Sequence, residues 1–233
     1  MMPSTRFYFC SRLQAGQEVI LEGNEFHHLA HVMRLEEGEQ AEFVNGAGTL
    51  AIGVLKQREK KQATFIIESF IQQEKTSSEL ILAQGLPRLN RLDFIIEKST
   101  ELGATQIWLF PGQNSERKSL NEHQLKRMES LMIAAMKQCG RLYLPSLVIK
   151  PALHQWDLLK TPAFFGDVRE TAPFFWHIHS PGKEALFFIG PEAGFTAAEI
   201  ERLGQMGAQG VKLHPNILRT DTAALVALSI MSQ

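Results

Sequence analysis

Two stretches late in the chain carry residues whose types and spacing suit ligand chemistry. Leu186 to Ile189 is an apolar run that breaks at Gly190, Pro191, Glu192, Ala193 and Gly194 before Phe195. Val211 to Leu213 leads through His214, Pro215 and Asn216 to Ile217, Leu218, Arg219, Thr220, Asp221 and Thr222. Glycine needs no space for a Cβ and proline fixes φ, so the first loop lets backbone come close to a ligand. Arg219 is the only fixed positive charge in the second loop proper. A guanidinium is a donor and not a base, so its chemistry is to hold an anion or a pair of carbonyl oxygens. Glu192 and Asp221 are the carboxylates nearest by sequence, and either can instead cap a helix or pair with Arg219. Taken alone, each loop also reads as an ordinary strand-to-helix turn. No G-x-G-x-x-G follows an early strand, and no G-x-x-x-x-G-K-[ST] is present, which argues against Rossmann and P-loop sites.

Loops become sites only when strands and helices hold them, and the chain supplies these from residue 79 onward. Leu80 to Ala83 reads as a strand. Leu92, Ile95, Ile96, Ser99 and Leu102 form a helical stripe that Gly103 stops. Gln106 to Phe110 is the next strand, and Asn121 caps a long helix to about Cys139. Weaker signals give a strand near Leu147 to Ile149, a helix near Ala152 to Leu159 and a strand at Ala163 to Phe165. Thr196-Ala197-Ala198-Glu199 is a capping box. Beyond Thr222 the chain is apolar almost all round, which predicts a helix buried on every side, in its own domain or against a second subunit. Alternating strands and helices imply βαβ units and a parallel sheet, on which the carboxyl-end loops bind ligands.

Residues 1 to 72 differ. Arg6 to Phe9, Glu18 to Leu21, Ala41 to Val44, Leu50 to Leu55 and Ala63 to Ile67 are short β-type runs, with a hairpin signal at Asn45-Gly46-Ala47-Gly48 and one helix near Glu25 to Arg34. This predicts a small β-barrel, a linker at 73–78 and an α/β domain over 79–233. The 233 residues carry 44% hydrophobic side chains, enough for a sizeable core. The net charge of −1 leaves any nucleic-acid contact to a local patch. Residues 86–145 hold nine Lys and Arg against six acids, so Arg88, Arg91, Arg117 and Arg141, with Arg34, are the candidate phosphate contacts. Lys98 pairs as readily with Glu97 or Glu101. His27, His28 and His31 lack a third-ligand pattern beyond themselves, so no metal is expected. Cys10 and Cys139 make no disulfide framework, and Cys139 reads as a buried helix residue. With no long apolar stretch, the expectations are no signal peptide, no membrane span and a cytoplasmic setting.

The loop residues Ile189 to Phe195 and Ile217 to Ala223 together resemble the signature of the SPOUT superfamily of RNA methyltransferases. Within it the chain resembles the ribosomal RNA small-subunit methyltransferase E family. His28 to Leu35, Glu97 to Gly103, and Ala134 to Arg141 with Pro145 resemble further motifs of that family, in order and over essentially the whole chain. The resemblance implies a PUA-like barrel, a catalytic domain tied in a trefoil knot, a homodimer, and S-adenosylmethionine as methyl donor. It implies methylation at N3 of one uridine of 16S ribosomal RNA in the small subunit (the family's uridine 1498). Leu109, Phe110, Pro111, Gly112, Ile189, Gly190, Pro191, Glu192, Gly194, Leu213, His214, Ile217, Leu218, Thr220 and Thr222 would surround the cofactor. Arg219 would clamp the uracil carbonyls or a neighbouring phosphate, with Glu192 as its catalytic companion. The chain departs from the family pattern at Ala193, Lys137, His214 and Asn216, where glycine, an acid, glycine and arginine are usual. Alanine at 193 is strained if that backbone has positive φ. The competing functional reading is a non-catalytic RNA-binding or ribosome-assembly factor that keeps the fold.

Overall fold

The structure, a computed structural model, describes residues 6–232. It divides into two units. One takes the chain up to Lys75 together with Ile133–Leu144; the other takes Thr76–Met132 and the chain from Pro145 onward.

The first unit holds β1 (Arg6–Tyr8), β2 (Glu18–Leu21), α1 (Gly23–His27), β3 (Gln40–Val44), β4 (Thr49–Arg58) and β5 (Ala63–Gln72). They form one sheet in the order β1-β3-β4-β5-β2, with β1 parallel to β3 and the other pairs antiparallel. Alternation puts Phe7, Phe43 and Phe65 on one face, where all are fully buried. The β3–β4 hairpin closes as its sequence predicts: Asn45 Oδ1 accepts from the Ala47 and Thr49 amides, and Gly46 and Gly48 take φ of +70° and +92°. Register shifts at Ile52/Gly53 and Leu55/Gln57 mark bulges that bend β4 against β5. The helix expected from Glu25 to Arg34 is real but widens. It passes from α1 into a π-helical turn over His28–Met33 and ends at Arg34, whose φ is +55°.

In the second unit the strands are β6 (Leu80–Gly85), β7 (Gln106–Phe110), β8 (Ser146–Ile149), β9 (Ala163–Gly166), β10 (Ala185–Ile189) and β11 (Gln209–Val211). All pair in parallel, in the order β11-β9-β10-β6-β7-β8. The helices are α2 (Leu89–Glu101), α3 (Glu122–Cys139), α4 (Phe175–Ile178), α5 (Ala197–Gln205) and α6 (Thr220–Met231), α3 running on into the other unit. Asn121 Oδ1 accepts from the Gln124 amide at the start of α3, and Thr196 with Glu199 forms the complete capping box of α5. Gly103 takes φ of +94° where α2 stops.

Four expectations are corrected. The helix expected near Ala152 to Leu159 is a single 3-10 turn, Leu153–Gln155. The strand before the second loop is β11, which stops at Val211. Cys139 is exposed, because α3 frays there, before Gly140. Finally, α6 buries Thr220, Ala224, Ala227, Leu228 and Met231 against its own chain, but Ala223, Leu225, Val226 and Ile230 stay half-buried.

Candidate functional site

Because all six strands of the second unit are parallel, every loop that follows a strand leaves from the same edge. The strand order reverses direction between β6 and β10, which are adjacent although 100-odd residues separate them in sequence. Such a reversal is where open sheets form a ligand crevice. Here the two strand ends are packed backbone to backbone. A Cβ on Gly85 would lie 2.9 Å from Pro191 Cδ, and one on Gly112 would lie 3.2 Å from the same atom. A Cβ on Gly190 would meet the backbone of Gly194 and Phe195 at 3.1 Å. Gly194 carries the positive φ of the turn, +71°, and has open space where a Cβ would stand. Ala193 is not in that conformation, so it fits without strain.

Buried polar contacts lock these loops together. Gln84, fully buried at the end of β6, donates from Nε2 to the Gly85 and Gly190 carbonyls and to Thr220 Oγ1, at 2.9, 3.2 and 3.0 Å. Thr220 Oγ1 in turn donates to the Gly190 carbonyl at 2.7 Å. Thr220 is therefore the first residue of α6 and a strut between loops, with Arg219 at the N-cap position offering no side-chain cap. Sequence reasoning missed Gln84; its signal was an amide at the end of the apolar run Leu80 to Ala83. The third loop joins the first through Asn114 Nδ2, which donates to the Gly194 carbonyl, and through Thr196 Oγ1, which donates to Gln113 Oε1. Lys118 Nζ donates to the Gly112 and Gln113 carbonyls.

The two carboxylates go to Arg91 and not to Arg219. Arg91 donates to Asp221 Oδ2 at 2.6 Å and lies 3.5 Å from Glu192 Oε1. Glu192 Oε1 also accepts from the Arg88 amide, so it caps α2. Among the described residues, no side-chain hydrogen bond or ion pair engages the exposed Arg219 guanidinium. The outcome is one uncommitted cation at the mouth of the loops, with both nearby acids already neutralised.

The remaining expected residues sort by what they present. Leu109, Phe110, Ile189, Pro191 and Leu213 are buried. Phe110 is committed to an aromatic layer with Trp156, Phe188 and Phe195. Gly112 is also buried, while Pro111, Gly190, Gly194 and Leu218 are half-buried. His214, Ile217 and Thr222 are exposed. His214 Nδ1 accepts from the Asn216 amide, which shapes the second loop.

Of the expected phosphate contacts, Arg91 is diverted into the carboxylate bridge. Arg88 pairs with Glu116 on the surface, and this partner raises the arginine pKa and lowers that of the acid. Arg88, Glu116 and Arg117 line an open cleft of about 570 Å³ between Pro87–Asn90 and Glu116–Ser119. Arg34 is exposed and Arg141 half-buried in the first unit, where burial pulls the Arg141 pKa down. Lys98 pairs with both Glu97 and Glu101, and Lys137 with Glu25 at 2.6 Å. Among the described residues, no cluster of three potential metal ligands occurs, and none of their helices is long and apolar enough to cross a membrane.

A parallel sheet reversed at β6/β10, tied through Gln84 and Thr220 and opening on Arg219, defines an α/β domain built to hold a ligand on backbone turns. Residues 73–232 match the RNA methyltransferase domain family and residues 21–68 the RNA methyltransferase PUA domain, so this is an RNA methyltransferase of the SPOUT fold class with a PUA-like domain ahead of it. More particularly, the chain belongs to the ribosomal RNA small subunit methyltransferase E family. The protein of that name from Bacillus subtilis (strain 168) is 31% identical over 224 residues, covering 90% of this chain and 88% of that one. The Neisseria gonorrhoeae protein of that name, solved bound to S-adenosyl methionine, is 30% identical with a TM-score of 0.86, covering 97% of this chain and 96% of its own. A putative methyltransferase from Legionella pneumophila, solved with bound SAM, is 27% identical with a TM-score of 0.89 over the same shares.

Proposed function

We propose that this chain transfers a methyl group from S-adenosylmethionine to N3 of a uridine in 16S ribosomal RNA, the family's uridine 1498. The observation that carries this reading is Arg219, an exposed cation with no side-chain partner among the described residues, next to Thr220, which ties the second loop to the Gly190 carbonyl of the first. The donor supplies an activated sulfonium methyl. The chain's own part is to hold it and the acceptor in line. The Gly190–Gly194 turn, Leu213 and Leu218 offer backbone and apolar surface suited to an adenosine, and the open space at Gly194 gives it room.

Uridine N3 is a poor nucleophile while protonated. Arg219, donating to the uracil carbonyl oxygens, stabilises the charge that develops as the N3 proton passes to solvent water and the methyl moves from sulfur to N3. Glu192, on the first loop, is held by Arg91 and the Arg88 amide and so fixes the Gly190–Gly194 turn against α2. Because N3 lies on the Watson–Crick edge, the target base is unpaired or turned out. In this reading Arg34, Arg88, Arg117 and Arg141 contact RNA phosphates and the chain folds as a trefoil knot. The half-buried apolar side of α6 meets a second copy in a homodimer, and the enzyme works in the cytoplasm. Mass spectrometry of nucleosides from small-subunit RNA incubated with and without the protein and donor tests it. A 3-methyluridine peak dependent on both is expected; its absence while the donor binds overturns the reading in favour of a non-catalytic RNA-binding factor.

A further inference from the structure

A cluster of rings stands on the segment between β9 and β10, with Phe174 half-buried and Trp176 and His177 exposed. Phe174 and Trp176 stack with centroids 4.4 Å apart and planes 20° from parallel. His177 sets its ring edge-on to both, at 6.0 and 5.8 Å. Trp176 is 44% exposed, and Ile178 on the same short helix is exposed as well. Folding accounts for two other rings of this segment, Phe175 and His179, which are buried and stacked, Phe175 also against Phe164 and Phe187. Phe174 and Trp176 flank Phe175, the first half-buried and the second exposed.

The cluster is wired to the site. The Phe175 amide donates to the Lys212 carbonyl and the Lys212 amide donates to the Pro173 carbonyl, both at 2.8 Å. Lys212 directly precedes Leu213, where the Arg219 loop begins. The Lys212 ammonium lies 5.9 Å from the Phe174 ring centre. Arg169 stands on the same segment, its charge shared with Asp167.

A stacked pair with an exposed tryptophan and a lysine ammonium beside it suits a single-stranded nucleic acid, whose bases extend the stack while its phosphates meet the ammonium. We propose that Phe174 and Trp176 form a stacking platform for an unpaired base of the RNA substrate, flanking the target nucleotide, with Lys212 contacting the adjoining phosphate. This rests on the proposed RNA methyltransferase function and adds a recognition subsite to it.

The test uses the full chain and a labelled oligouridylate strand, alongside an abasic strand of equal length. For Trp176→Ala, affinity for the oligouridylate is expected to fall about tenfold, as for loss of one stacked base. Affinity for the abasic strand, affinity for S-adenosylmethionine by calorimetry, and thermal stability should stay as in the parent protein. Trp176→Phe should keep most of the lost affinity, because any aromatic face stacks. Lys212→Gln should reduce the dependence of log affinity on log salt by about 0.7, as for one phosphate contact on a single strand. Oligouridylate affinity within twofold of the parent in Trp176→Ala overturns the proposal. So does an equal loss on the abasic strand, or conversion of a dimer to a monomer, which would make the rings a face between copies. The two readings fail separately: a parent protein that binds through Trp176 but methylates nothing keeps the platform and loses the enzyme.

Discussion

At the scale of single residues, charge assignment decides the chemistry. The loops carry Glu192, Asp221 and Arg219 within a short stretch of motif, and sequence alone allows an Arg219 pair with either acid. Arg91 takes both carboxylates from α2, its Asp221 partner lying 130 residues away in sequence. No local pattern could reveal that contact, and the sequence left Arg219 open between a structural pair and a ligand contact; its exposure comes from the structure. Replacing Arg219 by alanine removes no core volume and breaks no contact within the described residues. The expected outcome is an unchanged melting temperature and donor affinity with a fall in kcat/KM of about 10- to 100-fold, the loss of charge-assisted hydrogen bonds to the acceptor. Steady-state methylation of small-subunit RNA, with calorimetry of the donor, measures both. A variant as active as the parent removes Arg219 from the reaction.

At the scale of elements, alternation and capping made most of the architecture readable. The strands of the first unit and the capping box of α5 fall where the residues place them. The failures have local causes. Leu153, Trp156 and Leu159 repeat every three residues and mimic a helical stripe, yet the segment lies between Pro151 and Pro162. There Trp156 Nε1 donates to the Pro151 carbonyl and Arg202 donates to the Trp156 carbonyl, contacts that suit an irregular crossing. The resemblance leads to an expectation of glycine at 193, but the turn places its positive φ at Gly194. Ala193→Gly should therefore lower stability by about 0.4–1 kcal/mol, through added freedom of the unfolded chain, with little change in activity. Gly190→Ala should act on binding instead: its Cβ meets the Gly194 and Phe195 backbone, so the turn must open. Donor affinity should drop at least about tenfold, since a displacement of the turn misplaces the backbone that holds the ligand. Urea denaturation and calorimetry on the pair check the contrast; equal effects would mean the turn is not set by these two positions.

At the scale of the molecule, α6 and the residues packed on it bear on stability. His179 lies beside its last turn, stacked on Phe175, and burial lowers the histidine pKa below its usual 6.5, against the raising effect of its hydrogen bond to the Met231 carbonyl. Its buried Nε2 has no partner among the described residues. The folded state thus prefers the neutral ring while the unfolded chain protonates near pH 6.5, so the stabilising contribution is complete above that value and lost as pH falls through it towards the lowered pKa. Melting temperature should decline between pH 7.5 and 5.5, and His179→Gln should flatten part of that decline; an identical slope in the variant would place the titration elsewhere.

The same helix has two distinct apolar sides. Leu228 is fully buried against its own chain, so Leu228→Asp should leave little folded protein, an unpaired charge being intolerable there. Leu225 is only half-buried, on the opposite flank of the helix from the half-buried Ala223, Val226 and Ile230. If a second copy covers the Leu225 side, Leu225→Asp should yield a folded monomer where the parent is a dimer, as light scattering after size exclusion would show. A monomeric parent, or a Leu225→Asp protein that stays dimeric, would separate the apolar side of α6 from assembly.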